Sequence, residues 1–326
     1  MADIKAARET IEKLKSEFKV GIVGQTELIE GLLLAVLADG HVLIEGVPGL
    51  AKTRAVNLLA SMCNAEFKRL QFTPDLLPAD IIGTRIYNQS TAGFETKTGP
   101  IFANFILADE INRAPAKVQS ALLETMQEKQ VTIGDETHKL PRPFFVFATQ
   151  NPVEQEGTYP LPEAQLDRFL MKLIVDYPTI EEEAQIVSMI LNEVGAPTTS
   201  QVADTTTLQN LQAATRSVFV EDKLIRYAAD LVFATRYHEK YKLNLAGGSS
   251  ENVIEIGASP RASIALASVA RARALMDGRD AANPDDIKAA APGVLRHRII
   301  PTYHADAEGI TSEHIIAEIL KKVKVP

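Results

Sequence analysis

"GVPGLAKT", at Gly46–Thr53, decides how this chain folds, and it stands one residue short of a phosphate-binding loop. The general pattern is G-x-x-x-x-G-K-[ST], and Ala51 occupies the place of the second glycine. The string follows a short apolar run, "HVLIEG" (His41–Gly46), and opens a helical pattern at Lys52–Ser61. A strand-to-helix turn is where such a loop works, because backbone N–H groups and the helix dipole there attract an anion. Gly46, Val47, Pro48, Gly49, Leu50 and Ala51 would form the cradle, and Arg54 completes the candidate run. Lys52 would reach the β- and γ-phosphates of a nucleotide, and the Thr53 hydroxyl would hold Mg²⁺. Ala51 fits if its φ is negative, as in the first turn of a helix. A Gly/Pro turn followed by an unrelated lysine accounts for the same string, so the other residues of nucleotide chemistry must be sought.

The 326 residues can bury a substantial core and point to two domains. A hydrophobic content of 46% with 23% charged residues is that of an ordinary globular protein. A formal net charge of -8 argues against a nucleic-acid-binding surface, since phosphate contacts supply most of that affinity. The lone cysteine, Cys63, lies in "LLASMCNAEF" and reads as a small buried thiol at a helix end. The first residues, "MADIKAARETIEKLKSEF", alternate in charge and lack the apolar run of a signal peptide. The longest apolar run, at Leu32–Ala38, is too short to span a bilayer, and a cytoplasmic location is expected.

Around the loop, strand-like and helix-like segments alternate. A helical pattern runs over Gln25–Leu37, and "EFKRLQF" (Glu66–Phe72) alternates as a half-buried strand does. "NFILADE", "PFFVFATQNP" and "FLMKLIVDYP" are apolar runs of strand length. Buried strands separated by helices predict a parallel sheet covered on both faces. Two segments interrupt the rhythm and read as insertions at the edge or rim of the sheet. Pro74–Gly99 contains a possible hairpin, "TRIYNQSTAGFET", and Val131–Leu140 has two alternating arms around Gly134-Asp135. After Pro178 comes an acidic-capped helix, "TIEEEAQIVSMILNEV", and then a polar linker, "GAPTTSQVADTTT". From Leu208 onward the pattern is helical, over Leu208–Val218, Asp222–Tyr237, Pro260–Asp277, Asp285–Leu295 and Thr311–Val323. Ser259-Pro260 and Asn283-Pro284 read as helix starts. The expected division is 1–198 for the α/β unit and 199–326 for a helical one.

Three further places could carry chemistry. Asp109 ends the run in "ILADEINR", where it could hold Mg²⁺ through water. Glu110 beside it could polarise an attacking water. A carboxylate pair ending a strand is common by itself, but after a phosphate loop it gains meaning. Asn151, in "FATQNP", ends another apolar run; its amide could position the water or contact the γ-phosphate, and it also suits an Asn-Pro turn. The six histidines are dispersed without metal-ligand spacing, and no pattern for covalent catalysis is present. Tyr237 and Tyr241 share a helical face with basic neighbours, as packing residues do.

Taken in order, "GVPGLAKT", "ILADEINRAP", "FATQNP", "LPEAQLDRF" and "SPRA" resemble an AAA+ ATPase, specifically of the MoxR family. Members commonly carry alanine before the lysine, so the departure at Ala51 is itself a mark of the resemblance. The resemblance covers most of the chain, from Val23–Gln25 to the helical part. It implies a P-loop αβα core with a parallel sheet, followed by an all-α lid domain. By the same resemblance, Arg168 matches the arginine finger that reaches a neighbouring subunit's γ-phosphate, and Arg261 matches the sensor-2 arginine of the lid. Gly24 and Gln25, with Val23, match the adenine-side segment. The two insertions fall where the family carries hairpins facing the central pore of a ring. Gln71 could restrain Glu110 before subunits engage.

What the resemblance implies is an ATPase that uses ATP and Mg²⁺ in a homo-oligomeric ring, hexameric by the same resemblance, to remodel or mature client proteins. A von Willebrand factor A domain protein is the implied partner, sometimes for cofactor or metal insertion. Three alternatives stay open from sequence: a magnesium-chelatase-like motor subunit, a nucleic-acid-stimulated motor, and a regulatory module that binds ATP without hydrolysing it.

Overall fold

A computed structural model describes residues 4–90, 92–153, 157–191, 199–241 and 253–326. The parallel sheet is built from β1 (Val42–Glu45), β2 (Phe67–Gln71), β5 (Phe105–Asp109), β8 (Phe145–Gln150) and β9 (Met171–Ile174), in the order β2-β5-β8-β1-β9. Every neighbouring pair is parallel; Val42 pairs with Phe147 on one side and with Met171 on the other. Each central strand sorts its side chains by the period of two that a pleated strand imposes. Val42, Ile44, Phe105, Leu107, Phe145 and Phe147 enter one apolar layer. Leu43, Ile106, Ala108, Val146 and Ala148 enter the other. The phenylalanines of the first layer pack on each other: Phe105 stacks on Phe147 at 5.8 Å between ring centroids and meets Phe145 tilted at 5.1 Å. β2 is one of the two edge strands and only partly buried, as its alternating sequence predicted.

The first layer is covered by α1 (Ile4–Gly21), α2 (Thr26–Leu37) and α3 (Lys52–Met62). The charge-rich start of the chain is thus an amphipathic helix, which buries Ala7, Ile11, Leu14 and Phe18 along one stripe against α3 and the lid. Its apolar spacing was overshadowed in the sequence by its charges. The other layer is covered by α5 (Ala116–Glu128), which buries Val118, Leu122, Leu123 and Met126. Cys63 closes α3 in a dry setting, and burial pushes its thiol up to about 12.

Both interruptions are hairpins. The first holds α4 (Pro78–Ile82) and the antiparallel pair β3 (Gly83–Asn88) and β4 (Gly93–Thr98), and in the second β6 (Gln130–Ile133) pairs with β7 (Glu136–Lys139). They touch each other through Arg85 and Asp135, 3.6 Å apart. The short α6 (Glu163–Leu166) precedes β9, and α7 (Ile180–Leu191) follows it. The expected break at 198/199 falls at the end of 192–198, and the start of the linker with it, outside the described residues.

The C-terminal helices are α8 (Thr205–Ser217), α9 (Asp222–Arg236), α10 (Pro260–Met276), α11 (Pro284–Leu295), α12 (Tyr303–Ala307) and α13 (Ser312–Lys322). A short antiparallel pair, β10 (Ile254–Ile256) and β11 (Ile300–Pro301), joins them. Ser259 and Asn283 cap α10 and α11 with proline at the first helical position, as read from sequence. α10 is buried along most of its surface by alanines, which lets α9, α11 and α1 approach it closely.

One expectation is corrected here. Ala51 is not in the first turn of α3; it is the residue before it, at φ 58°, in the left-handed region. The helix needs its first backbone acceptor from Ala51, whose carbonyl takes the Ala55 N–H at 2.9 Å, while the loop must still curl back over its own N–H groups. An L-residue there costs about 1–2 kcal/mol, which the surrounding contacts hold in place. Ala51→Gly should therefore keep or raise the unfolding free energy, by up to about 1 kcal/mol once the greater chain entropy of glycine is subtracted. Ala51→Val should lower it, because a branched side chain tolerates positive φ poorly. Denaturant unfolding checks both, and a valine variant as stable as the glycine one would contradict the left-handed assignment.

Two buried histidines tie layers together as neutral rings. His41 accepts the Val146 N–H at Nδ1 and donates from Nε2 to the Met126 carbonyl at 3.1 Å. Burial holds its pKa down at about 4, and His297 is pushed well below its ordinary value for the same reason. The folded state therefore resists protonation while the unfolded chain takes it up below pH 6.5, so stability is full above 6.5 and falls as pH drops toward 4. For His41 the gap corresponds to about 3 kcal/mol. Urea midpoints measured from pH 7 to pH 4.5 should fall steeply, and less steeply in His41→Asn.

Candidate functional site

Because β1, β5 and β8 run parallel and adjacent, their carboxyl ends open on one edge, where α/β sheets receive ligands. A cavity of about 370 Å³ lies there, lined by residues 48–54, Asp109, Glu110 and Asn151, with Arg69, Thr149 and Gln150. Gly46 is required by a close approach: a Cβ there would stand 2.7 Å from the Val175 carbonyl oxygen. At Gly49, φ 87°, a Cβ would meet nothing within 4 Å. That open space, bounded by left-handed residues at Gly49 and Ala51, has the form of a backbone anion cradle. Lys52 bends back over the loop and donates to the carbonyls of Gly46 and of Val47, the latter at 3.2 Å. Its pKa is lowered chiefly by burial, against the opposing pull of Asp109, Glu110 and Glu45.

The carboxylates are held by a network. Asp109 Oδ1 accepts the Thr149 hydroxyl at 2.6 Å, and Oδ2 accepts Arg69 Nη2 at 2.6 Å and Nε at 3.0 Å. Glu110 has φ 56°, which turns its side chain out of the strand direction, and its N–H donates to Thr149 Oγ1 at 2.9 Å. Its Oε2 accepts Gln71 Nε2 at 2.8 Å and Arg113 Nη1 at 3.1 Å. Gln71 thus meets Glu110 as expected. Arg69, Thr149 and Arg113 were not read from sequence. Arg69 could have been, since it stands two residues before Gln71 and so shares its face of β2, next to the strand that ends in Asp109. Asn151 is buried, and its Oδ1 accepts the Val153 N–H at 3.1 Å, so it forms its turn while lining the cavity.

The remaining candidates lie elsewhere. Gln25 Nε2 donates to the Asp176 carbonyl at 3.0 Å, and Gly24 at φ 67° backs onto the Glu182 carboxylate, so this segment flanks the end of β9 rather than lining the cavity. Arg168 and Arg261 line a separate cavity of about 360 Å³, together with Asp167, Ile264 and Arg298. The two cavities share no lining residue. Arg168 Nη1 donates to the Leu123 carbonyl at 2.7 Å, and its Nε has no partner.

The oxygen donors in the first cavity, Thr53 and Asp109, suit a hard divalent cation that keeps waters and substrate phosphates as its other ligands. Arg69 holds Oδ2 of Asp109, whereas Oδ1, which accepts only the Thr149 hydroxyl, keeps a lone pair for the cation or one of its waters. No helix among the described residues is long and apolar enough to cross a membrane.

Comparison with known proteins agrees with this geometry. The profile of the ATPase family associated with various cellular activities (AAA) matches residues 41–171, and that of the AAA lid domain matches 249–319. Chaperone MoxR1 of Mycobacterium tuberculosis is 50% identical over 97% of this chain and 82% of its own length. Protein MoxR of Paracoccus denitrificans is 32% identical over 89% of this chain and 88% of its own. The crystal structure of a candidate ATPase from Cytophaga hutchinsonii superposes with a TM-score of 0.91 at 48% identity, covering 99% of this chain and 97% of that one. The strand-to-helix phosphate loop, the helical lid and these relatives together make the chain a member of the MoxR family of AAA+ ATPases.

Proposed function

We propose that this protein hydrolyses ATP with Mg²⁺ in a ring of identical subunits and uses the turnover to remodel or mature client proteins. The observation that carries the reading is the division of the machinery. The phosphate loop, Asp109, Glu110 and Asn151 converge on one cavity, whereas Arg168 and Arg261 line another. In this reading the loop N–H groups and Lys52 hold the phosphates, with Arg54 beside them. Thr53 and Asp109 hold Mg²⁺, which when bound would neutralise charge on the phosphate oxygens. Glu110 takes the proton of the attacking water, and Asn151 orients that water. Gly24 and Gln25 border the base.

Arg168 and Arg261 are then supplied to the next subunit's nucleotide. A guanidinium suits that task because its planar fork stays charged and matches phosphate oxygens. The contacts of Gln71 and Arg113 with Glu110, and of Arg69 with Asp109, support a reading in which the site is restrained until nucleotide and neighbour arrive. The hairpin β3–β4 exposes Tyr87 and Phe94, packed edge to face at 5.4 Å, which supports a client-gripping role at a central pore. A hexamer, a von Willebrand factor A domain partner and a cytoplasmic setting belong to the same reading.

Lys52→Ala should weaken nucleotide binding about tenfold or more in a direct titration, and unchanged affinity would overturn the phosphate-loop assignment. Glu110→Gln should bind ATP normally while turnover falls by about 10²–10⁴-fold. Arg168→Ala should lose about 10³-fold in turnover, and mixing it with Glu110→Gln should restore part of the activity, because each variant supplies what the other lacks. Phosphate release from the mixed rings measures this, and absence of any recovery would remove the role between subunits.

A further inference from the structure

Arg298 lies in the turn after α11, and its side chain is almost wholly buried, at 3% exposure. A guanidinium has five N–H donors, and all five are used here. Nε donates to Asp167 Oδ1 at 2.7 Å. Nη2 donates to the carbonyls of Asp167 at 3.2 Å and Phe169 at 2.6 Å. Nη1 donates to the Leu170 carbonyl at 3.2 Å and to that of Val294. Four of the five acceptors belong to residues 167–170, so a lid side chain grips the core backbone on both sides of Arg168.

The same contacts settle the charge around Arg168. Asp167 is its neighbour in sequence and could capture it in an ion pair. One oxygen of Asp167 is taken by Arg298, and the other accepts the Ser259 hydroxyl at 2.8 Å. Ser259 is also the cap of α10 and receives the Arg261 N–H at 3.1 Å. Arg261 itself stands 3.9 Å from Asp167, too far for a hydrogen bond. Among the described residues, no carboxylate lies within 4 Å of Arg168.

We propose that Arg298 is the positioning residue for both arginines: it locks the lid to the loop carrying Arg168, saturates Asp167, and presents Arg168 and Arg261 to the neighbouring subunit as one unit. This rests on the reading in which those arginines act between subunits. Movement of the lid is then movement of Arg168. Lysine cannot substitute, because one ammonium on a flexible stem cannot address carbonyls on several sides at once.

The test uses Arg298→Lys in the full chain, with nucleotide titration and mixed rings. Turnover should fall about 10²-fold, the scale of a reacting group displaced by about 1 Å, with KM for ATP nearly unchanged, since the variant's own phosphate cavity is intact. Mixed with Glu110→Gln, which carries a sound Arg168, it should recover activity. Mixed with Arg168→Ala it should not, because neither subunit then presents the guanidinium. Asp167→Asn, which keeps the shape, should show the same pattern with a smaller loss, and it serves if the lysine variant fails to fold. Recovery with Arg168→Ala, or none with Glu110→Gln, would overturn the proposal. The pair Arg168→Ala with Glu110→Gln is the control: its failure to recover overturns the reading between subunits, and this proposal with it.

Discussion

Parallel pairing of β1 with β8 and of β8 with β5 is the constraint on which the site depends. A parallel ladder makes each strand finish on the same edge, so three turns far apart in the chain must meet there. The turn after β1 brings the phosphate loop, the end of β5 brings Asp109 and Glu110, and the end of β8 brings Thr149 and Asn151. What holds the pairing is the sorting of side chains on the central strands: a slip of one residue would exchange the phenylalanine layer for the smaller Ile106, Ala108, Val146 and Ala148 layer. Packing on both faces thereby fixes the register of chemistry at the rim.

Polar chemistry at that rim is expensive and correspondingly well connected. Thr149 serves two masters, donating to Asp109 and accepting from Glu110. Arg69 and Gln71 reach in from the edge strand, where solvent allows long polar side chains to sit on the sheet. A partly buried carboxylate pair is stable only when its oxygens are partnered, so the contacts that restrain Asp109 and Glu110 also make it possible for them to stand side by side. At the opposite cavity the same rule gives the buried Arg298 its five acceptors, and burial there lowers its pKa against the pull of Asp167.

Much of this was legible in the sequence where local physics decides the outcome. Apolar runs of strand length became strands, Ser259-Pro260 and Asn283-Pro284 became helix starts, and the Gly134-Asp135 turn became a hairpin. That Lys52, Thr53, Asp109, Glu110 and Asn151 line one cavity was readable because the first two open the helix after β1 and the others stand at the ends of β5 and β8. The backbone of Ala51 was not, since alanine is compatible with helix in any local scheme and only the closure of the loop forces it left-handed. Arg298 was hidden for a different reason: its partner Asp167 lies 131 residues away, and nothing nearby in sequence marks it as other than a surface cation. α1 was masked by its own charges, which face solvent while Ile11, Leu14 and Phe18 do the packing.

In the proposed ring, the two halves of the machinery, separated within one chain, meet only between chains. ATP turnover per subunit, followed across protein concentration alongside the mass of the assembly, tests it most directly. If the halves complete each other only across a subunit interface, specific activity rises as rings form and falls toward zero on dilution to monomer. Constant specific activity at dilutions where the chain is monomeric would contradict it.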